Sequence, residues 1–331
     1  MYGDYADELL AQGRPQYIRE LSRLVVEAIK NPNLLDIYIT EWLLSPDAHR
    51  ANVFFILLGC SDTGLLFRER IEALGQRANG AAAFAAYWEG WAARERQAAE
   101  TRLDYLMNSN AVTGEAIILA IARLGANQVA VDRIQSQIRA GRVTLEYVAN
   151  ALAFRKFMQE LATNQCEELL RTMAGETFEH GEAAVSMLVM WDHFARPLSG
   201  SLAKFVWQCL EQTSFPKSPR DAWTWKFDRL AAKLVQDNPE EGFRFLERFL
   251  RKSEEDRNHW CPFEPYGRAQ FWKALYTRDR QRFMQLLLDA ARTHAPARHH
   301  LSWYLRERLN QEAIETCYSP LQQVIFSMPV S

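Results

Sequence analysis

The chain has 331 residues, of which 48% are apolar and 24% are charged, and its formal net charge is −2. This composition is typical of a soluble globular protein and excludes a disordered or fibrous chain. The small net charge excludes a strong uniform field, so overall electrostatics require neither nucleic acid nor an anionic membrane as a partner.

The N-terminal residues, the apolar runs and the cysteines indicate the cellular location of the protein. Residues 1–8 are acidic, whereas a secretory signal begins with basic residues and continues with an apolar run. The longest apolar run, Val53–Leu58, is much shorter than the roughly 20 residues of a membrane-spanning helix. Five scattered cysteines without a C-x-x-C pair form a poor disulfide framework. We therefore expect a cytoplasmic protein that does not associate with membranes.

Apolar residues recur at helical spacing along almost the whole chain, beginning with Ile18, Leu21, Leu24, Val25 and Ala28. Prolines that follow a capping residue predict helix starts at Asn31-Pro32, Ser45-Pro46, Ser218-Pro219, Asn238-Pro239 and Ser319-Pro320. Glycines after apolar runs predict helix ends at Gly59, Gly125, Gly141 and Gly175. We expect about 17 to 19 helices, a longer one over Ala81–Met107, and no strands.

Glycines in the segment 54–67, FFILLGCSDTGLLF, have the spacing of a phosphate-binding loop. Such a loop continues with Lys and Ser or Thr, which hold phosphates and magnesium, whereas Leu65 and Leu66 follow here. The segment is therefore interpreted as one helix that ends at Gly59 and another that begins near Ser61 or Asp62.

Helices of this length joined by short turns form antiparallel hairpins, and each hairpin has too little core to be stable alone. Stacking one hairpin on the next buries the apolar stripes, which predicts an all-α superhelical stack, or α-solenoid. In this organisation the chain resembles the irregular HEAT-like repeat proteins. A closed α/α toroid of two concentric helical rings is the alternative, because it suits the same length and the abundant tryptophan.

Charge is distributed unevenly along the chain. Residues 1–200 contain 19 Lys and Arg against 25 Asp and Glu, whereas residues 201–331 contain 20 against 16. Two prolines and two serines in TSFPKSP, residues 213–219, interrupt the helical pattern. We therefore expect an acidic N-terminal region, 1–213, and a basic, aromatic-rich C-terminal region, 214–331, which continues the helical pattern of the first.

The segment 254–272 gathers four residues of types that bind zinc, namely Asp256, His259, Cys261 and Glu264. Their spacing lacks the paired grip of C-x-x-C or H-x-x-x-H, so a connector between helices is the favoured interpretation. We assign no metal-binding, cofactor-binding or catalytic residue from the sequence.

The region 268–308 contains nine Lys and Arg against three Asp and Glu, with aromatic residues interleaved. Arginines and aromatic rings on neighbouring helices suit an acidic protein surface or, through phosphate contacts and base stacking, a nucleic acid. A plain solvated basic face is the ordinary alternative. The predicted partner-binding residues are Arg268, Trp272, Arg278, Arg282, Arg292, Arg298, His299, Trp303 and Arg306.

These patterns favour a non-enzymatic helical-repeat scaffold that binds a protein partner through its C-terminal half. Nucleic-acid binding through 268–308 is the first alternative. The second is a toroidal hydrolase, for which Asp192, Asp221 and Asp228 are the best-placed carboxylates. Each of these aspartates could equally cap a helix or pair with a nearby arginine.

Overall fold

The computed structural model describes residues 15–35, 37–45, 47–48, 51–176, 180–193, 196, 198, 200–212, 223–251 and 270–293. Within these ranges the secondary structure is entirely helical, with sixteen α-helices and two short 3₁₀ turns. The all-α prediction is confirmed. None of the helices in the described ranges combines the length and apolarity needed to cross a membrane.

The chain divides into two compact units, Met1–Leu169 and Leu170–Ser331. The division lies inside a helix, Thr163–Ala174, and not at the expected composition boundary at residue 213. Composition changes there without a matching change in packing, since helices on both sides of residues 213–222 belong to the second unit.

The first unit begins with α1 to α9. Their bounds are Pro15–Lys30 (α1), Ile37–Leu43 (α2), Ala51–Ser61 (α3), Arg68–Leu74 (α4), Ala81–Ser109 (α5), Gly114–Leu124 (α6), Gln128–Arg139 (α7), Leu145–Ala151 (α8) and Arg155–Glu160 (α9). The 3₁₀ turns are Pro32–Leu34 and Ala78–Gly80. Helix α5 is central, because α3, α4 and α6 all pack against it.

Helix α10, Thr163–Ala174, crosses the division between the units. The second unit continues with Gly181–His193 (α11), Ser201–Gln212 (α12), Trp223–Asp237 (α13), Pro239–Arg251 (α14), Gln270–Arg278 (α15) and Arg280–Thr293 (α16). From α11 to α16, the principal packing partners of each helix are the next helix and the next but one.

Several predicted helix ends are confirmed. Gly125, Gly141 and Gly175 have positive φ angles and follow the last residues of α6, α7 and α10, where a left-handed residue ends a helix without the steric penalty of a Cβ. Asn238 caps α14, since its Oδ1 accepts a hydrogen bond from the Glu241 amide at 3.4 Å. Ser218 and Ser319, which were expected to cap two further helices, lie outside the described residues.

The prediction that Gly59 ends a helix is wrong, because α3 continues through it to Ser61. Gly59 instead permits a close crossing of α3 and α5. A Cβ at Gly59 would lie 2.1 Å from the Tyr87 carbonyl oxygen, and one at Gly90 would lie 2.0 Å from the Ile56 carbonyl oxygen. Each glycine faces the backbone of the other helix, so α3 and α5 approach each other more closely than any side chain at these positions would allow.

The predicted long helix is present as Ala81–Ser109, but it is interrupted at Glu95, whose φ of −139° and ψ of 66° are not helical. Across the break, the Trp88 indole Nε1 donates to the carbonyl oxygen of Ala99 at 3.1 Å. Eleven residues of straight helix would separate these positions by about 16 Å, so the hydrogen bond indicates a sharp bend. Periodicity does not show this break, because the apolar stripe continues on both sides of it.

Ion pairs connect helices that are distant in the chain. Arg102 on α5 forms a bidentate pair with Glu72 on α4, at 2.8 and 2.7 Å. Arg133 on α7 does the same with Asp104 on α5, at 2.7 and 2.8 Å. Two parallel N–H···O bonds fix the relative orientation of the helices that carry them.

A buried tyrosine in the first unit and a buried cysteine in the second have raised pKa values, so the protein becomes less stable at alkaline pH. Burial raises the pKa of Tyr87 above its ordinary 10.0, and the charge and hydrogen bond of Asp62 raise the pKa further, against smaller opposing effects of Arg94 and Arg68. Burial likewise raises the pKa of Cys209 above 9.0. Because the unfolded chain loses these protons first, stability is complete below the ordinary values and falls as the pH rises above them.

We therefore expect the urea midpoint to fall as the pH is raised through 9.0 and then through 10.0. Cys209→Ala should reduce the part that begins near 9.0, to which Cys60 also contributes. Tyr87→Phe should reduce the part that begins near 10.0, to which Tyr17 and Tyr147 also contribute. Urea titrations at pH values below, between and above these two would measure both parts. An unchanged pH dependence in both variants would assign the alkaline loss to other groups.

Candidate functional site: an apolar groove beside α1 and α2

Helix α1 has more apolar surface than its packing against the unit requires. Ile18, Val25 and Ala28 are buried, and α1 packs against α3. A second row, Tyr17, Leu21 and Leu24, recurs at intervals of four and three residues and therefore shares one face of the helix. This second row lines a cavity, and Leu24 in this row is exposed to solvent.

The groove is the cavity of about 350 Å³ between α1, the 3₁₀ turn Pro32–Leu34 and α2. Phe54 and Ala51 of α3 line it from below, and Glu27 is its one charged lining residue. Its remaining lining residues are Tyr17, Leu21, Leu24, Ala28, Leu34, Leu35, Trp42, Leu43 and Ala48. The site is therefore almost entirely apolar.

Three large apolar side chains of the groove are open to solvent. Trp42 is 59% exposed, Leu24 is 58% exposed and Leu34 is 44% exposed. Single exposed apolar residues are common on protein surfaces, whereas several that line one concave site mark a binding surface. The groove is thus the best candidate for an interaction site in the described chain.

Hydrogen bonds hold the elements around the groove in place. The Arg70 guanidinium on α4 donates to the Pro32 and Leu35 carbonyl oxygens at 2.7 and 3.4 Å, which fastens the 3₁₀ turn to the unit. Arg77 pairs with Glu41 on α2 at 2.6 Å. These contacts fix the positions of the 3₁₀ turn and α2, so the groove is present without a bound partner.

A second cavity, of about 590 Å³, lies against α2, α4 and Phe55 of α3. It shares Leu35 and Leu43 with the groove, so the two cavities adjoin at these residues. Together they provide a concave apolar surface on two sides of α2, with arginines only on the side of α4.

Several charged side chains around the groove form ion pairs. Glu20 pairs with Arg23 at 3.1 Å, and Glu27 with Lys30 at 2.9 Å. The remaining pair around α2 is that of Arg77 with Glu41. These pairs neutralise three of the basic side chains near the groove, whereas Arg70 donates to backbone carbonyl oxygens.

The structure describes four of the nine predicted partner-binding residues. Trp272 is completely buried, with its ring packed edge-on against Phe283 at a centroid distance of 5.3 Å. Its prediction as a surface contact is wrong, because the apolar periodicity of α15 turns this indole into the core. Arg268, Arg298, His299, Trp303 and Arg306 lie outside the described residues.

The three predicted arginines of α15 and α16 reach the surface to different extents. Arg278 is exposed, and Arg292 is exposed beside Asp289 at 3.4 Å. Arg282 is half-buried, pairs with Glu240 at 2.6 Å and lies over the Phe243 ring at 4.4 Å. Arg282 therefore connects α16 to α14, which reduces the positive charge that this surface offers to a partner.

Two of the three carboxylates considered for a hydrolase have structural partners. Asp192 pairs with Arg229 at 3.2 Å and with Lys233. Asp228 is buried and accepts hydrogen bonds from the first two amides of α15, those of Gln270 at 2.8 Å and Phe271 at 3.0 Å. These roles, an ion pair and a helix cap, are the alternatives that the sequence indicated. Asp221 lies outside the described residues.

No cluster of three or more His, Cys, Asp or Glu side chains suited to a metal ion occurs within the described ranges. Cys60, Cys166 and Cys209 are free thiols. The segment 254–269, with the four candidate zinc ligands, lies outside these ranges.

The groove was not predicted from the sequence. Its signal was present in α1, whose apolar residues occupy two rows where one row suffices for packing against α3. The exposure of Trp42 had no such signal, because a tryptophan in a short helix is usually buried. Among protein-family models, curated proteins and solved structures, comparison with this chain finds no match.

Proposed function

We propose that the chain is a non-enzymatic helical protein that binds a protein partner, and that an amphipathic helix of this partner occupies the groove beside α1 and α2. The supporting observation is the joint exposure of Leu24, Leu34 and Trp42 around a formed apolar cavity. Grooves between helices commonly bind an amphipathic helix through apolar residues that recur at helical spacing. An exposed tryptophan is the residue type most enriched in the energetic centres of such interfaces.

The ion pairs around the groove favour protein over nucleic acid as the occupant. Nucleic-acid binding depends on unpaired Lys and Arg that displace counterions from phosphates. Around the groove, Arg23, Lys30 and Arg77 each pair with a glutamate. An apolar centre surrounded by paired charges is the usual composition of a protein–protein interface.

The architecture that we propose is a stack of helix hairpins of the HEAT-like kind. Its support is the packing of the second unit, where the principal partners of each described helix from α11 to α16 are the helices one or two positions away in the chain. This pattern is expected when each hairpin stacks on the preceding one. A toroidal hydrolase has less support, since Asp192 and Asp228 are engaged in structural contacts.

The basic C-terminal region is a second proposed contact with the partner, supported by the exposed side chains of Arg278 and Arg292. Exposed arginines at the edge of an interface contribute more to the rate of association than to affinity. A cytoplasmic location is part of the same proposal, because the described cysteines are free thiols.

Trp42→Ala should weaken partner binding about 30-fold, or about 2 kcal/mol, because it removes the largest exposed apolar side chain of the groove. Leu24→Ser should have a smaller effect in the same direction. Both side chains are more than half exposed, so the free energy of unfolding should change by less than about 0.5 kcal/mol. Val129→Ser is the matched control, since Val129 is 50% exposed and does not line the groove.

The test starts from a photo-reactive amino acid at position 24, cross-linked in the native host with and without nuclease. A nuclease-resistant adduct gives the contacted protein segment by mass spectrometry. A synthetic peptide of that segment is then titrated against the wild-type chain and the three variants. The proposal is supported if the peptide is helical when bound, binds the wild type and the Val129 variant with equal affinity, and binds the Trp42 variant weakly. Adducts only with nucleic acid or with this chain itself, or equal binding by all variants, would contradict it.

A further inference from the structure

The cavity of about 590 Å³ against α2 and α4 has the properties of a small-molecule site. Its apolar wall consists of Leu35, Leu43, Phe55, Phe67, Ile71, Ala73 and Leu74. Small-molecule sites are mostly apolar cavities of about 300 to 1,000 Å³ that contain a few polar groups. The size and the lining of this cavity therefore suit a small molecule with an apolar body.

The charged side chains that line this cavity include one unpaired cation. They are Glu41, Arg70 and Arg77, so one acid against two bases gives the lining a formal charge of +1. Glu41 pairs with Arg77 at 2.6 Å. Arg70 is exposed to solvent and forms no ion pair with any residue that the structure describes. The excess positive charge is therefore located on the Arg70 guanidinium.

Contacts with two walls of the cavity hold this guanidinium in place. Its Nη1 donates to the carbonyl oxygens of Pro32 at 2.7 Å and of Leu35 at 3.4 Å. Its Cζ lies 5.9 Å from the centroid of the Phe67 ring, a distance at which a cation is attracted to an aromatic face. Because Leu35 and Phe67 both line the cavity, the positive charge is fixed beside the apolar wall.

The contacts of Arg70 determine which kind of head group the site would select. Both of its hydrogen bonds to described residues come from Nη1, so its Nε and Nη2 are not engaged by them. These two nitrogens form one edge of the guanidinium, and their two parallel N–H groups match the two oxygens of a carboxylate. Such charged pairs are stronger than hydrogen bonds between neutral groups. An anionic carboxylate is therefore the favoured head group.

We propose that this cavity binds a single-chain fatty carboxylate, with its carboxylate on the Nε and Nη2 edge of Arg70 and its hydrocarbon chain against the apolar wall. Burial of the chain supplies most of the affinity, because each buried methylene leaves water for apolar surroundings. The pair with Arg70 supplies the selection of a charged head over a neutral one. The cavity shares Leu35 and Leu43 with the groove, but this binding does not require a partner helix there.

Isothermal titration calorimetry of the purified full chain with decanoate, below its micelle concentration, measures this binding. One decanoate should bind per chain. Decanol, which has the same chain length without a charge, should bind about tenfold more weakly, because it cannot form a charged pair with Arg70. Acetate, which has the head group without the chain, should give no measurable binding. Equal affinities for decanoate and decanol, or no binding of decanoate, would overturn the proposal.

Ala73→Glu tests the role of Arg70 without removing the hydrogen bonds of Arg70 to the 3₁₀ turn. Position 73 follows Arg70 by three residues on α4, so the introduced carboxylate can pair with Arg70 and compete with the ligand. Ala73 is exposed, so a longer side chain is accommodated there. Ala73→Glu should bind decanoate about tenfold more weakly than the wild type and decanol equally well.

The matched control is Ala73→Gln, which adds a side chain of the same length without a charge. It should bind decanoate more tightly than Ala73→Glu does, with the difference close to tenfold. Equal decanoate affinities of these two variants would show that the charge of Arg70 does not select the ligand, and would overturn the proposal.

Trp42→Ala distinguishes this cavity from the groove. Trp42 lines the groove and not the larger cavity, so this variant should bind decanoate as the wild type does. A loss of decanoate binding in Trp42→Ala would place the hydrocarbon chain in the groove and overturn the proposal. Normal decanoate binding together with failure of the partner-peptide titration would contradict only the proposed function.

Discussion

Gly90→Ala is expected to destabilise the first unit by about 3 kcal/mol, at the upper end of the range for an inserted methyl group. The new Cβ would lie 2.0 Å from the Ile56 carbonyl oxygen and 2.8 Å from the Cys60 amide nitrogen. Both contacts are with backbone, which cannot rotate away as a side chain does. Relief therefore requires α3 and α5 to separate, and this weakens the packing of both helices.

The matched control for this substitution is Gly64→Ala. A Cβ at Gly64 meets nothing closer than the Leu66 Cγ at 3.6 Å, which is an ordinary van der Waals distance. Urea unfolding would measure both variants, and native-state hydrogen exchange would show whether the loss is located in α3 and α5. Equal stability of the two variants would contradict the close helix crossing.

Asp62→Ala is expected to cost about 4 kcal/mol, because it leaves two buried donors and one half-buried donor without their acceptor. Two of these donors are the amides of Leu66 and Phe67, which lead into α4, and the third is the Tyr87 hydroxyl on α5. Asp62 is completely buried, so water does not replace its hydrogen bonds with the Phe67 amide and the Tyr87 hydroxyl. The substitution should therefore loosen the connection between α3 and α4 as well as their contact with α5.

Tyr87→Phe separates the two parts of this effect. It removes one donor and leaves the two backbone hydrogen bonds of Asp62, so its cost should be about 2 kcal/mol. Thermal and urea unfolding of both single variants and of the double variant would form a mutant cycle. An energetic coupling close to zero between the two positions would show that the hydrogen bond at 2.8 Å does not contribute to stability.

Local features of the chain were predictable from the sequence. The helical class follows from apolar spacing, which depends only on residue order. Helix ends at Gly125, Gly141 and Gly175 follow from a backbone conformation that glycine adopts readily. The cap at Asn238 follows from a side chain and an amide three residues apart.

Features that depend on two distant segments were not predictable in this way. Gly59 has the same local surroundings as a helix-ending glycine, and only the approach of α5 explains why the helix continues through it. Trp272 stands among arginines in the chain but points into the core, because α15 packs on α13, α14 and α16. The neighbouring residues in the sequence suggested that Trp272 belongs to a basic, aromatic binding surface, but they did not predict that its side chain is buried.

The sequence by itself determined that this protein is helical, where several of its helices end, and that two of the carboxylates suspected of catalysis could equally serve as a cap and an ion-pair partner. Only the tertiary structure decided which surfaces remain open. The groove beside α1 and α2 arises where α1, α2 and α3 meet. Periodicity measures how apolar a face is, whereas exposure depends on whether another element covers that face.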